Sequence, residues 1–294
     1  MRYILLGILN RLYFLFSDKF FLKVKFYLEM GKRLNLKEPR TMNEKLQWLK
    51  LYNRKIEYTT MVDKILVKDY VASLIGREYI IPTIAVWNRP EEIDFDLLPR
   101  KFVLKTNHSG GNTGVVICKN KSAFDRKGAL LKLRKSLQMD IYRTYREWPY
   151  KNVSKKVFAE TLLEVSESEQ LDDYKFYCFN GNVDSVMVCV DRQIGEPKFY
   201  FFDRDWNLKR YNKRGKEAPK DFTLPKPQKL EEMFNVASIL SKGIPFLRVD
   251  LYNIRGKIFF GEMTFFPASG FDRNRLDVTD IYFGELIQLQ GDVI

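Results

Sequence analysis

With 294 residues, 45% of them hydrophobic and 15% aromatic, the chain can bury a substantial core and divide into two lobes, which excludes a disordered polypeptide. Three cysteines without CxxC spacing (Cys118, Cys178, Cys189) read as buried reduced thiols, and His108 is the single histidine; a thiolate–imidazole metal centre is therefore excluded, and a bound metal must take oxygen ligands, as magnesium and manganese do. The net charge of +13 is concentrated in residues 1–60 (thirteen Lys/Arg against five Asp/Glu) and 121–160 (eleven against four), which suits phospholipid, an acidic polymer or nucleic acid, or else a plain solvated face.

Residues 1–55 read mainly as helices broken at Pro39, with Asn43 as the N-cap of a helix over 44–52. The opening stretch, RYILLGILNRLYFLFSDKFFLKVKF, is interrupted by Asn10 and Arg11 and is too short for a transmembrane helix. It has no small-residue cleavage site, so a signal peptide is not expected. Its aromatics, followed by Lys19, Lys23 and Lys25, suit two arrangements: a peripheral membrane contact through residues 1–30, or a helix packed on the core. The periodicity then predicts a helix over 60–76 stopped by Gly76, strands at 79–87 and within 101–118, and a basic helix over 128–142. The apolar run Val157–Leu163 reads as a hinge between lobes. After a polar loop come strands at 174–179 and 183–190 about Asn180-Gly181-Asn182, a strand at 198–203 and a helix over 229–242. A hairpin of 246–252 and 257–265 about Arg255-Gly256 and a final helix around 279–290 close the chain.

Two hairpins carry chemistry. In KFVLKTNHSGGNTGVVIC, Lys101–Cys118, a strand ending near Lys105 enters a loop of Gly, Ser, Asn and Thr and returns as a second strand. Such a loop exposes backbone N–H groups to the oxygens of a phosphate chain, and Lys105 adds a point charge for the same anion. A polar hairpin turn is the plainer alternative. No GxxxxGK[ST] or GxGxxG motif is present, and no kinase HRD or DFG triplet. In RVDLYNIRGKIFFGEMTFFP, alternation puts Arg248, Asp250 and Tyr252 on one strand face and Phe260, Glu262, Thr264 and Phe266 on another. An in-phase register brings Arg248, Asp250, Glu262 and Thr264 together, where a cation could bridge the carboxylates or an Arg–Glu pair could neutralise them.

In this order, PRTMNEKLQWLK, DKILVKDYVASLIGREYIIPTI, LPRKFVLKTNHSGGNTGVV, REWPYKNV, DYKFYCFNG and RVDLYNIRGKIFFGEMTFFPASGF resemble the ATP-grasp superfamily. The likeness is to its TupA-like branch, associated with teichuronopeptide and other surface-polysaccharide biosynthesis, and spans roughly residues 30 to 275. It implies an α+β ATP-grasp fold with ATP between two lobes: a helical basic segment 1–55, an N-terminal lobe 56–156 with the phosphate loop, and a C-terminal lobe 157–294 with the metal site. Lys64 and Lys105 match the two lysines directed at the nucleotide phosphates, and Lys68, one helical turn after Lys64, is a further candidate. The loop from Ser109 through Gly110, Gly111 and Asn112 to Gly114 matches the flap over the phosphates, and His108 is either a phosphate contact or a loop-shaping residue. Glu160, Leu162 and Leu163 match the hinge that meets adenine, and Asp173, with Asp172 as the alternative, matches the ribose-holding acid. Asp250 and Glu262 match the magnesium carboxylates. Where many ATP-grasp ligases place x-Asn after the Glu, this chain has Met263-Thr264, so a ligand role for Thr264 rests on a weak hydroxyl donor. Arg248 matches an arginine that steadies the reacting carboxylate, and Lys175 points into the cleft or forms a structural salt bridge.

The resemblance implies an ATP- and Mg2+-dependent (or Mn2+-dependent) carboxylate–amine ligase working through an acyl phosphate. The expected partners are an acidic polysaccharide or lipid-linked glycan precursor and a small amine or amino acid, not nucleic acid. The expected location is the cytoplasm, either free or peripheral on the inner face of the cell membrane. Arg146, Glu147, Trp148 and Tyr150 either line the acceptor site or form a core-packed loop. The rival readings are a sugar or polysaccharide kinase, a glycosyltransferase of the same pathway, and a non-enzymatic basic module.

Overall fold

A computed structural model of the chain describes residues 2–164, 171–191, 195 and 197–289. It divides into two compact units, one of Met1–Arg54, Arg143–Trp148 and Ser166–Ile294, the other of Lys55–Tyr142 and Pro149–Val165. The helices are α1 (Arg2–Arg11), α2 (Asp18–Met30), α3 (Met42–Tyr52), α4 (Glu57–Val62), α5 (Val67–Ile75), α6 (Arg126–Gln138), α7 (Ile141–Tyr145), α8 (Lys213–Glu217), α9 (Leu230–Ser241) and α10 (Asp277–Leu286). The strands are β1 (Thr83–Trp87), β2 (Phe102–Thr106), β3 (Val115–Cys118), β4 (Val157–Glu160), β5 (Asp173–Phe179), β6 (Asn182–Val190), β7 (Lys198–Phe202), β8 (Leu208–Lys209), β9 (Leu247–Ile254) and β10 (Lys257–Thr264).

The smaller unit holds an antiparallel sheet in the order β1-β4-β2-β3. Alternation turns Phe102, Leu104, Val157 and Ala159 toward α6, where they pack with Leu133, Ile93, Phe95 and Leu98. The expected 60–76 helix is two helices, because Asp63 accepts from the N–H groups of Ile65 (2.9 Å) and Leu66 (3.2 Å) and breaks the ladder before α5. Lys64 thus lies in this turn rather than one helical turn before Lys68. Val157–Glu160, read from sequence as the hinge opening the second lobe, is an inner strand here, hydrogen-bonded to both β1 and β2.

The larger unit is built on a six-stranded antiparallel sheet, β10-β9-β5-β6-β7-β8. Its two tight turns take left-handed conformations, Asn180-Gly181 with φ 50° and 86° and Arg255-Gly256 with φ 51° and 81°, which match the strand twist and set both registers. On one face α9 packs against β5, β6 and β9, with Phe234 edge-on to Phe176 at 5.1 Å. Buried Val249 and Leu251 belong to this apolar face, and the alternate residues Arg248, Asp250 and Tyr252 to the other.

The register of β10 on β9 departs from simple alternation. Phe260 pairs with Leu251, yet Glu262 pairs with Asp250, so Gly261 is the extra residue of a bulge. Phe260 and Glu262, expected on one face, therefore lie on opposite faces. Glycine is needed at the bulge, since a Cβ would stand 3.0 Å from the Asp250 carbonyl oxygen and 3.2 Å from the Tyr252 ring.

The N-cap of α3 is Thr41 and not Asn43: Thr41 Oγ1 accepts from the Glu44 N–H (3.2 Å) and Glu44 returns the bond to the Thr41 N–H (3.1 Å). Asn43 is buried and ties α3 to the chain's end, donating to Asp280 Oδ2 (3.0 Å) and the Asp272 carbonyl (3.1 Å). Arg146 and Glu147 take the core-packed alternative. Arg146 pairs with Asp18 (3.0 Å) over the Phe21 ring, and Glu147 accepts from Ser269 Oγ (2.5 Å). The buried Lys50 ammonium donates to the Ser269 (2.8 Å) and Tyr145 (2.9 Å) carbonyls, and burial, eased by Glu147, lowers its pKa to about 7. Equilibrium urea unfolding tests the cap assignment. Thr41→Ala should cost about 1 kcal/mol, whereas Asn43→Ala, which strips partners from buried groups, should cost ~2–3 kcal/mol; the reverse order would restore Asn43 as the cap.

Candidate active site

In the smaller unit, strand alternation places Lys105 and Glu160 on the sheet face away from α6, as diagonal neighbours across β2 and β4. Glu160 is buried, with its carboxylate held between Lys105 and Lys68, the latter at 2.9 Å. Burial pushes the Glu160 carboxyl up, but the two ammonium groups pull it further down, and the net shift is downward. Lys68, also bound to the Ile81 carbonyl (2.8 Å) and Thr83 Oγ1 (2.7 Å), thus joins Lys105 on a single carboxylate. The Glu160 side chain faces these lysines, and Leu162 and Leu163 follow it, half-buried.

The loop after β2 is anchored at its start and open at its tip. Lys64 Nζ donates to the Ser109 carbonyl (2.8 Å), the Lys64 N–H donates to the Asn107 carbonyl (2.9 Å), and Asn107 Nδ2 donates to Asp63 (2.7 Å). Ser109 is buried beside Thr106, whose hydroxyl meets Ser109 Oγ (2.6 Å) and Ser136 Oγ (2.7 Å). Gly110, Gly111 and Asn112 are exposed, with Gly111 at φ 60°. Gly114 closes the loop against that hydroxyl trio, where a Cβ would come within 2.1 Å of Thr106 Oγ1 and 2.2 Å of Ser109 Oγ. Lys64, in the turn between α4 and α5, holds the start of this loop, whose open tip is the stretch that the sequence reading matched to the phosphate flap. The Thr106–Ser109–Ser136 hydroxyls were missed, because nothing in local spacing ties Ser136 to this turn.

His108 is 2% exposed, and among the described residues neither ring nitrogen meets a hydrogen-bond partner of good geometry, although the backbone of Met139 and Ser136 lies close. Burial and then the nearby Lys155 charge lower its pKa to about 4. The imidazole is consequently neutral near pH 7.

In the larger unit, the polar face of the sheet carries a compact charge cluster. Lys175 on β5 pairs with Asp173 (2.6 Å) and with Asp250 on β9. Arg248 grips Asp250 with both arms of its guanidinium, Nε to Oδ1 at 2.7 Å and Nη2 to Oδ2 at 2.8 Å. From β10, Glu262 Oε1 lies 3.3 Å from Arg248 Nη2, and Thr264 Oγ1 accepts from that nitrogen at 3.1 Å. Burial alone would lower the Arg248 and Lys175 pKa values, but Asp250 and its neighbouring carboxylates raise both above their ordinary values. Burial pushes Asp250 upward, against the downward pull of Arg248 and Lys175. Asp250 exposes 3% of its side chain and Glu262 25%, so Glu262 is the open edge of the cluster.

Asp173, Lys175, Arg248, Asp250, Glu262 and Thr264 thus share one face, as the sequence reading required for the last four. Lys175 takes the salt-bridge alternative, and Asp173 is its partner. Asp173, Asp250 and Glu262 are thus gathered around Lys175 and Arg248. Among the described residues no group of three or more Asp, Glu, His or Cys side chains is arranged to hold a metal by itself. An all-oxygen set with two carboxylates, Asp250 and Glu262, does fit magnesium, which takes one or two protein carboxylates and completes its shell with water and substrate phosphate.

The model of the TupA-like ATP-grasp family matches residues 44–288, and the chain belongs to that family. No curated protein sequence matches it. Among solved structures it is similar to a D-alanine–D-alanine ligase from Bacillus anthracis (17% identity, 77% of this chain and 65% of that one, TM-score 0.44). It is also similar to a D-alanine–D-alanine ligase from Helicobacter pylori (14%, 85% and 70%, TM-score 0.45) and to the ATP-grasp ligase PsnB complexed with minimal precursor, Mg and ADP (14%, 84% and 65%, TM-score 0.40). The chain spans 65% of the length of the Bacillus anthracis ligase and of PsnB.

Two measurements test this geometry. Gly114→Ala should destabilise the chain by ~1–3 kcal/mol in urea unfolding, because the added methyl displaces packed hydroxyls; an unchanged midpoint would show that the hydroxyl trio is not closed. Because His108 has its folded pKa below the unfolded value of 6.5, its contribution is present above pH 6.5 and is lost as pH falls toward about 4. His108→Gln should therefore flatten the decline of stability between those limits relative to wild type, and identical profiles would contradict a buried neutral imidazole.

Proposed function

We propose that the protein is an ATP- and magnesium-dependent carboxylate–amine ligase that joins an amino compound to a carboxylate of a surface polysaccharide or its lipid-linked precursor. The observation that carries this reading is the cross-strand Asp250–Glu262 pair beside Arg248, on a chain whose family match covers residues 44–288. Asp250, buried, and Glu262, at the open edge of the cluster, present two carboxylates to an incoming cation.

Lys64, Lys105 and the N–H groups of the loop from Ser109 at its buried base to the exposed Gly110, Gly111 and Asn112 bind the triphosphate, and His108 stays neutral behind the loop. The backbone of Glu160, Leu162 and Leu163 meets adenine, and Asp173 holds the ribose hydroxyls. Magnesium, bound through Asp250 and Glu262 with Thr264 as a weak third donor, would supply charge neutralisation for the phosphoryl group. Arg248 orients the substrate carboxylate, while Lys175 holds Asp250 in place as its ion-pair partner. A carboxylate oxygen of the substrate attacks the γ-phosphorus, the bond to the β–γ bridging oxygen breaks, and ADP leaves. The amine nitrogen then attacks the acyl carbon, inorganic phosphate departs with the C–O bond electrons, and the nitrogen gives up a proton as the amide forms. No side-chain nucleophile is required. The basic segments 1–60 and 121–160 suit an acidic glycan.

The test is ADP release with magnesium and ATP against a panel of carboxylates and amines, including uronic-acid oligosaccharides and amino acids. Turnover that requires both partners is the expected result; turnover with a single hydroxyl-bearing glycan and phosphorylated product would make the protein a kinase. Glu262→Gln should lower kcat on the order of 100-fold, and a variant with full activity would remove Glu262 from the metal site.

A further inference from the structure

We infer that α1, the turn Tyr13–Leu15 and the first turns of α2 form a docking hairpin for an anionic lipid surface, an inference that stands apart from the ligase assignment. The helix α1 has two apolar sides. Leu6 and Leu9 are buried against α2, and an ion pair from Arg2 to Glu29 (2.8 Å) fixes the pairing. Its other side bears Ile4 and Ile8, which with Phe14 and Leu15 of the turn and Phe20 of α2 are each half or more exposed, and Tyr3, Leu5 and Leu12 are exposed beside them in sequence. Exposed apolar residues scattered singly are ordinary on a protein surface, but such a concentration within about twenty residues marks a partner-binding face.

The charges select the partner. Residues 2–33 carry seven Lys/Arg against two Asp/Glu. Both acids are already taken by cations, Asp18 by Arg54 (2.6 Å) and Arg146 (3.0 Å), and Glu29 by Arg2. Arg11, Lys19 and Lys23 are exposed among the apolar groups. An apolar stripe flanked by cations is the pattern that lies in the interfacial plane of a bilayer, with ring and aliphatic groups at the acyl boundary and ammonium groups on anionic headgroups. A second copy of this hairpin would bring like charges together. Among the described residues no helix is long and apolar enough to cross a membrane.

The experiment is co-sedimentation of the full chain with vesicles of phosphatidylcholine alone or with phosphatidylglycerol added, without ATP or acceptor. Binding to the anionic vesicles, weakened by salt, is expected. Ile8→Ser and Leu15→Ser should each reduce the partition coefficient on the order of tenfold, and Lys19→Gln and Lys23→Gln roughly fivefold each. Thermal melting should be unchanged in all four, because these side chains are exposed. Absence of wild-type binding at low salt, or variants that bind as wild type does, would overturn the inference. A dimer in sedimentation velocity that Leu15→Ser dissolves, without vesicle binding, would overturn it in favour of a second copy. Because the vesicle assay needs no substrate, its failure leaves the ligase assignment standing, and absence of turnover leaves the vesicle result standing.

Discussion

The bidentate grip of Arg248 on Asp250, completed by Lys175, is the interaction on which the polar face of the larger unit depends. Charges removed from water cost several kcal/mol each unless geometry and further hydrogen bonds compensate. Arginine meets both carboxylate oxygens in one plane, which an ammonium group cannot do. With Arg248 fixed on Asp250, its Nη2 also reaches Glu262 and Thr264, so one guanidinium sets the positions of three oxygen-bearing side chains on two strands. The face is rigid where Asp250 is buried and open where Glu262 meets solvent. A site that receives a cation needs both properties: preset oxygens and a way in.

The bulge at Gly261 is what makes this constellation compatible with a packed core. On a regular β10, Phe260 and Glu262 would lie on the same side of the sheet, and one of them would be misplaced. The extra residue turns Phe260 into the apolar layer opposite Leu251 and Glu262 onto the polar side opposite Asp250. Core packing and site chemistry are thereby satisfied by one strand.

The smaller unit solves a related problem with opposite sign. Lys105 on β2 and Lys68 on α5 repel each other, and burying either alone is costly. Glu160, one strand away, accepts both, which leaves Lys64 to hold the loop backbone at Ser109. The cations are thus preset around a single buried carboxylate, and the open part of the site is backbone, at Gly110 to Asn112. A loop of this kind binds an anion with dipoles that need no counter-charge.

Most strands and helices were legible from the sequence because their signals are local. Both hairpin turns, the stop at Gly76, the loop between β2 and β3 and the alternation of Arg248 and Asp250 follow from backbone preferences within a few residues. The family likewise rests on motifs spread along the chain. Other features needed partners remote in sequence. Asn43 has a good capping side chain, but its bonds to Asp280 and Asp272 draw it inward and leave the cap to Thr41. Val157–Glu160 has the composition of a hinge, and only its pairing with both β1 and β2 shows it to be an inner strand. Composition, patterning and turn chemistry therefore determined the α+β class and, in each unit, the hairpin that carries candidate residues. Which charge meets which was decided by register, a bulge and burial, because ion pairing in a desolvated interior depends on distances of a few ångström that local sequence does not encode.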